Sequence, residues 1–140
     1  MAHLLEREGL RDRVLLDSAG TGDWHVGSAP DPRSTEAAAR RGVRLAGAAR
    51  QVVAGDFGAF DLVLAMDREN HADLVARAAT PADRAKVRLL REFDPASVAA
   101  GELDVPDPYL GDGDGFDRVL DIVWAGCEGL LSKLRADGRL

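Results

Sequence analysis

Asp61-Leu-Val-Leu-Ala-Met66, then Asp67 and a helix-forming run to about Ala78, then Lys86-Val-Arg-Leu-Leu90, is the stretch that decides the fold. The first hexapeptide places five apolar residues behind one aspartate, too short for a helix and rich enough for a buried strand. Asp67 offers a side-chain oxygen where a helix would need its first cap. Lys86–Leu90 alternates polar and apolar residues, so it reads as another strand. Two strands joined through a helix require a parallel crossover, and parallel sheets need helices on both faces. An α/β domain follows.

Working outward toward the N-terminus, His3–Gly9 reads as a short helix closed by Gly9. Val14-Leu-Leu-Asp-Ser-Ala-Gly-Thr21 is β-prone and leads into glycine, which predicts a third strand. Residues 22–33 form a Gly- and Pro-rich loop carrying Trp24 and His25. Asp31-Pro32 has the cap-plus-proline start of a helix that runs to Arg41 and stops at Gly42. Asp56–Phe60 predicts a helical turn, and Pro81 opens another. Arg40, Arg41, Arg44 and Arg50 recur through one segment and are expected on a solvated helix face. Three strands make a thin sheet, and the chain opens on a helix that looks as if it should follow a strand.

Toward the C-terminus, Phe116, Val119, Leu120, Val123, Trp124, Cys127, Leu130, Leu131 and Leu134 recur every three or four residues and predict one long amphipathic closing helix. Between it and the last strand lies Asp104-Val-Pro-Asp-Pro-Tyr-Leu-Gly-Asp-Gly-Asp-Gly-Phe-Asp117. Pro106 and Pro108 hold Asp107 in an extended arm, and the glycines after it permit sharp turns. Asp107 and Tyr109 are thereby presented together, as an acid and an aromatic wall. The same composition also describes an acidic solvated loop.

The whole chain, residues 1–140, is the size of a single domain; it is 46% hydrophobic and 30% charged, with a formal charge of −6. That balance argues against a nucleic-acid partner, which needs a basic excess. No apolar run is long enough to span a bilayer, and the acidic N-terminus does not resemble a secretory signal, so a cytoplasmic location is expected. Cys127 alone excludes an internal disulfide framework and a multi-cysteine zinc site. It sits on the apolar stripe of the closing helix and is expected to be core. His3, His25 and His71 lack ligand spacing. A calcium loop aligned on Asp112, Asp114, Gly115 and Asp121 would put Leu110 where an oxygen ligand is required. No Gly-rich phosphate loop follows a strand. Neither metal nor cofactor is expected.

Taken together, Asp17-Ser-Ala-Gly-Thr-Gly-Asp-Trp-His-Val-Gly27, Ala49-Arg-Gln51, Phe60–Asp67 and Val105-Pro-Asp-Pro-Tyr-Leu-Gly-Asp112 with Phe116-Asp117 resemble the low-molecular-weight protein tyrosine phosphatases, in their actinobacterial form. The likeness runs nearly end to end. It implies a three-layer α/β fold with a parallel sheet, and hydrolysis of a phosphotyrosine protein or aryl phosphate through a phosphocysteine. Asp107 matches the family's general acid, Tyr109 and Trp24 match the aromatic walls of the substrate slot, and Ser18 matches a residue supporting the phosphate loop.

The departures from the family pattern are specific. The family's first strand and its Cys-x5-Arg loop have no counterpart here, and Ala46-Gly47 stands where relatives carry a buttressing histidine. The implied missing strand is an inner one, between those at 14–19 and 61–66. Expected consequences are a chain inactive as given and a sheet repaired by re-pairing or by strand exchange in a homodimer. The chain then reads as a shortened form of a longer phosphatase, or as a pseudophosphatase that binds without catalysing. Arsenate reduction, performed by some relatives of this fold, needs more cysteines than Cys127.

Overall fold

The computed structural model describes residues 1–107 and 115–140. Its centre is the unit expected from the deciding stretch: β1 (Val63–Ala65), α4 (Arg68–Arg77), α5 (Pro81–Ala85) and β2 (Val87–Leu89), with β1 and β2 parallel and Val63 opposite Val87. Asp67 caps α4 by accepting from the Asn70 amide at 2.7 Å, and Thr80 caps α5 through Asp83 N. Phe57 of α3 (Asp56–Ala59), Ala65, Leu74, Ala78 and Val87 close a core around this unit.

A second core joins the two ends of the chain. Leu4 and Leu5 of α1 (Ala2–Arg7) pack with Leu90, Cys127 and Leu131. The last two belong to α7 (Gly115–Ala136), the long closing helix. Its apolar stripe is interrupted at Gly126 and Gly129, and there the 3₁₀ turn Leu90–Phe93 presses in: a Cβ on Gly126 would lie 2.8 Å from Leu90 Cγ, and one on Gly129 would overlap the Phe93 carbonyl. Arg40 and Arg41, at the end of α2 (Pro32–Ala39), bind Asp117 and Asp121 of α7, with Arg41 Nη1 at 2.6 Å from Asp121 Oδ1. These hydrogen bonds, led by that to Asp121, raise the Arg41 pKa. Among the described residues no helix is long and apolar enough to cross a membrane.

The expected strand at 14–19 is corrected by the structure. Among the described residues the sheet has two strands, and the only further pairing is an isolated parallel bridge between Gly20 and Gln51. Val14 is extended, and Val14, Leu16 and Leu64 pack against the same core, yet no ladder joins residues 14–19 to β1. Extended geometry requires only local preference, whereas a strand requires a neighbour aligned to exchange hydrogen bonds. The expected re-pairing is absent from the described residues too. A short helix not foreseen, α6 (Pro95–Ala100), carries the same Asp-Pro start as α2, with Asp94 as its cap. The solvated-helix reading of the arginines is also revised: Arg50 lies outside any helix and is half-buried in an ion-pair network.

Candidate active site

In open α/β sheets, ligands bind beyond the carboxyl ends of the strands. Here that end of β1 is the turn Met66–Asn70. Val105 N donates to Met66 O at 2.8 Å, and the Asp104 carboxylate accepts from Arg68 N at 2.8 Å. The arm bearing Asp107 is therefore fastened to the turn by two hydrogen bonds immediately upstream. Pro106 follows these anchors, and Asp107 is exposed beyond it.

The loop carrying Trp24 is built by a different device. Two clasps hold residues 20–28 to the strip 49–52. At one end Gly20 N donates to Arg50 O and Val52 N to Gly20 O, at 2.8 and 2.9 Å. At the other, Gly27 N donates to Ala49 O and Ala49 N to Ser28 O, at 2.7 and 2.8 Å. Within the loop Trp24 lays its ring over Gly22, where a Cβ has no room. The ring is still 76% exposed, an unusual state for so large an apolar surface and one expected of a binding surface. His25 stands edge-on to it, ring centroids 6.2 Å apart. Trp24, His25, Thr21, Ala49, Arg50 and Asn70 surround a cavity of about 230 Å³. Asn70 belongs to the first helical turn after β1, so this cavity and the Asp107 arm share one strand-to-helix junction.

Arg50 is what fixes the strip. Its Nη1 and Nη2 donate to the two Asp56 oxygens at 3.0 Å each, and its Nε donates to Asp17 Oδ2 at 3.1 Å. Asp56 also accepts from Val53 N at 2.8 Å. The Arg50 guanidinium, followed by that backbone N–H, holds the Asp56 carboxyl below the ordinary carboxylate value, and Asp56, followed by Asp17, raises Arg50. Asp17 is also the partner of Ser18, whose amide donates to Asp17 Oδ1 at 2.8 Å. Ser18 is exposed and thus sits on a braced segment. Ala49-Arg-Gln51 stood out in the sequence, but nothing local showed that Arg50 reaches residues 17 and 56.

The structure brings Trp24 and the Asp107 arm to one end of β1, and places Ser18 at the base of the Trp24 loop. Tyr109 lies outside the described residues, as do Leu110, Asp112 and Asp114. Cys127 is buried at 6% exposure between Leu90 and Leu131. As expected, it fills core.

All 140 residues match the model of the family described as low molecular weight phosphotyrosine protein phosphatase. The chain is 49% identical to a low molecular weight protein-tyrosine-phosphatase of Streptomyces coelicolor, over 94% of this chain and 79% of that one. It is 42% identical to the low molecular weight protein-tyrosine phosphatase A of Mycobacterium tuberculosis, over 92% and 76% respectively. Among solved structures, the protein tyrosine phosphatase of Entamoeba histolytica, with Hepes in its active site, superposes with a TM-score of 0.89 at 33% identity, covering 99% of this chain and 86% of that one. A two-stranded parallel unit, a clasped Trp24 loop and an anchored acidic arm are thus arranged on a scaffold whose relatives match nearly the whole length of this chain, and the chain belongs to the low molecular weight phosphotyrosine protein phosphatase family.

Proposed function

We propose that these 140 residues recognise a phosphotyrosine-bearing protein, with Trp24 and Tyr109 as walls of the ring slot and Asp107 as the acid for the leaving phenolate, but do not hydrolyse the ester on their own. Breaking the phosphorus–oxygen bond requires a nucleophile in line with it, donors for the phosphoryl oxygens and a proton for the phenolate oxygen. Asp107 supplies only the last. The observation that carries the reading is the place of Cys127: the one thiol in the chain is buried and packed with Leu90 and Leu131, whereas a nucleophile must be exposed to its substrate. Ser18 sits on the braced segment at the base of the Trp24 loop. The second reading, a binding or regulatory module, is favoured by Ala46-Gly47 in place of the family's histidine.

Hydrolysis of para-nitrophenyl phosphate by the purified chain and by Cys127→Ser tests this directly. Neither protein should exceed the uncatalysed rate, and the native thiol should resist an aromatic disulfide reagent until the chain is unfolded. Turnover in the wild-type chain, whether or not the serine variant retains it, would overturn the proposal.

A further inference from the structure

A second cavity, of about 320 Å³, opens beside the acidic arm and is lined by Arg68, Arg91, Arg118, Glu102, Asp104 and Pro106 among others. In a chain of formal charge −6 it gathers three guanidinium groups. Their surroundings differ. Arg91 is only 8% exposed and is spent on structure: its Nε donates to Ser97 Oγ at 3.0 Å and its Nη1 to Asp104 O at 2.6 Å. Arg68 Nη2 reaches Gly101 O at 3.4 Å, a long bond that leaves most of its donors open. Arg118, exposed on the first turns of α7, has no hydrogen bond or ion pair among the described residues.

The two carboxylates do not neutralise this group equally. One oxygen of Asp104 is occupied by the Arg68 backbone amide. Glu102 stands 3.6 Å from Arg91 Nη2, and its side chain is 63% exposed, so the pair is weak. An incoming carboxylate or phosphate would meet Arg118 and Arg68 with donors to spare. Arginine is suited to that role because its planar fork matches a carboxylate or phosphate in two parallel hydrogen bonds. Pro106 lies on the cavity wall and is covalently next to Asp107, so the basin adjoins the acid proposed for the phosphotyrosine leaving group.

We propose that this basin receives an acidic side chain of the phosphoprotein, placed a few residues from its phosphotyrosine, with Arg118 and Arg68 as its partners. The inference deepens the phosphotyrosine reading and rests on it for the position of the target residue. It makes Arg118 a specificity determinant, acting on affinity for the flanking sequence and not on the phosphoester.

The test crosses two variables in four labelled peptides, phosphotyrosine or tyrosine at the centre and Asp-Glu or Asn-Gln beside it, measured by fluorescence anisotropy. The acidic phosphopeptide should bind about fivefold more tightly than its amide counterpart, the size expected of an exposed ion pair. Arg118→Ala should abolish that difference, and Glu102→Gln, which removes the competing carboxylate, should widen it. Both side chains are exposed, so both variants should keep the wild-type circular dichroism spectrum. Equal affinity of the two phosphopeptides, or a preference that survives Arg118→Ala, would overturn the proposal. Loss of the contrast between phosphotyrosine and tyrosine would instead refute the reading of the Trp24 slot, while the flank contrast still reports on the basin.

Discussion

Replacing Gly129 by alanine sets two opposed effects against each other, and the structure states which wins. Alanine is favoured over glycine inside a helix by about 1 kcal/mol, so at an open site on α7 the change would stabilise the protein. At Gly129 the new methyl would overlap the Phe93 carbonyl and crowd Asp94 N at 3.4 Å. Both obstacles are backbone, and neither can turn aside as a side chain could. Relief demands that the Leu90–Phe93 turn move off α7, and Leu90, 2% exposed, moves with it. Overpacking costs roughly 1–3 kcal/mol and partial uncovering of a buried leucine adds roughly 1–2, so the net loss after the propensity gain is about 1–4 kcal/mol. For a chain of this length that lowers Tm by about 3–12 °C. Urea titration followed by far-ultraviolet circular dichroism measures the loss. Gly126→Ala, which meets Leu90 Cγ at 2.8 Å, should lose less because its first obstacle is a side chain. Gly58→Ala meets nothing within 4 Å and should be neutral or slightly stabilising. A Gly129→Ala midpoint at or above wild type would refute the close seating of the turn on α7.

The remaining expectations concern two carboxylates, Asp56 in its pair with Arg50 and Asp67 as the cap of α4. Asp56→Asn removes the charge that holds Arg50 and should cost about 2 kcal/mol at pH 7, with faster proteolysis of the Trp24 loop. The folded-state pKa of Asp56 is lowered, so its contribution is complete above the unfolded value of about 3.9 and is lost as pH falls through the folded value. The wild-type advantage over Asp56→Asn should therefore be constant from pH 7 to about pH 4.5 and shrink below pH 4; an advantage unchanged at pH 2.5 would count against it. Asp67→Ala removes the α4 cap and should cost about 1 kcal/mol in a urea titration, whereas Asp67→Ser should recover most of it.

Much of the fold was legible because its signals are local. Asp67 and the Asp31-Pro32 pair announce helix starts within a few residues of where they act, and α7 declares its buried stripe through spacing alone. Asp94-Pro95 carried the same signal and marks α6 equally well. The segment 14–19 went astray for a different reason: Val14, Leu15 and Leu16 have the composition of a strand, but a ladder depends on what lies alongside, and composition holds no record of that. Leu15 is 78% exposed while Val14 and Leu16 face the core, so the alternation is real and the pairing is not. Of the candidate site, Trp24 and Asp107 were visible as residue types out of place in a scaffold. Arg50 was not, since its partners Asp17 and Asp56 lie 33 and 6 residues away.

The two cores differ in how much chain each must gather. That around Phe57, Ala65, Leu74, Ala78 and Val87 is drawn wholly from one continuous segment between α3 and β2. That around Leu4, Leu5, Leu90, Cys127 and Leu131 needs residues from near both ends. Closing a short stretch sacrifices less chain entropy than joining distant ones, so the local core sets first and the terminal one locks afterwards. The turn Met66–Asn70, on which the Trp24 cavity and the Asp107 arm both depend, belongs to the early unit. The end of the molecule that carries Trp24 and the Asp107 arm is thus templated on a unit that forms before the ends of the chain have met.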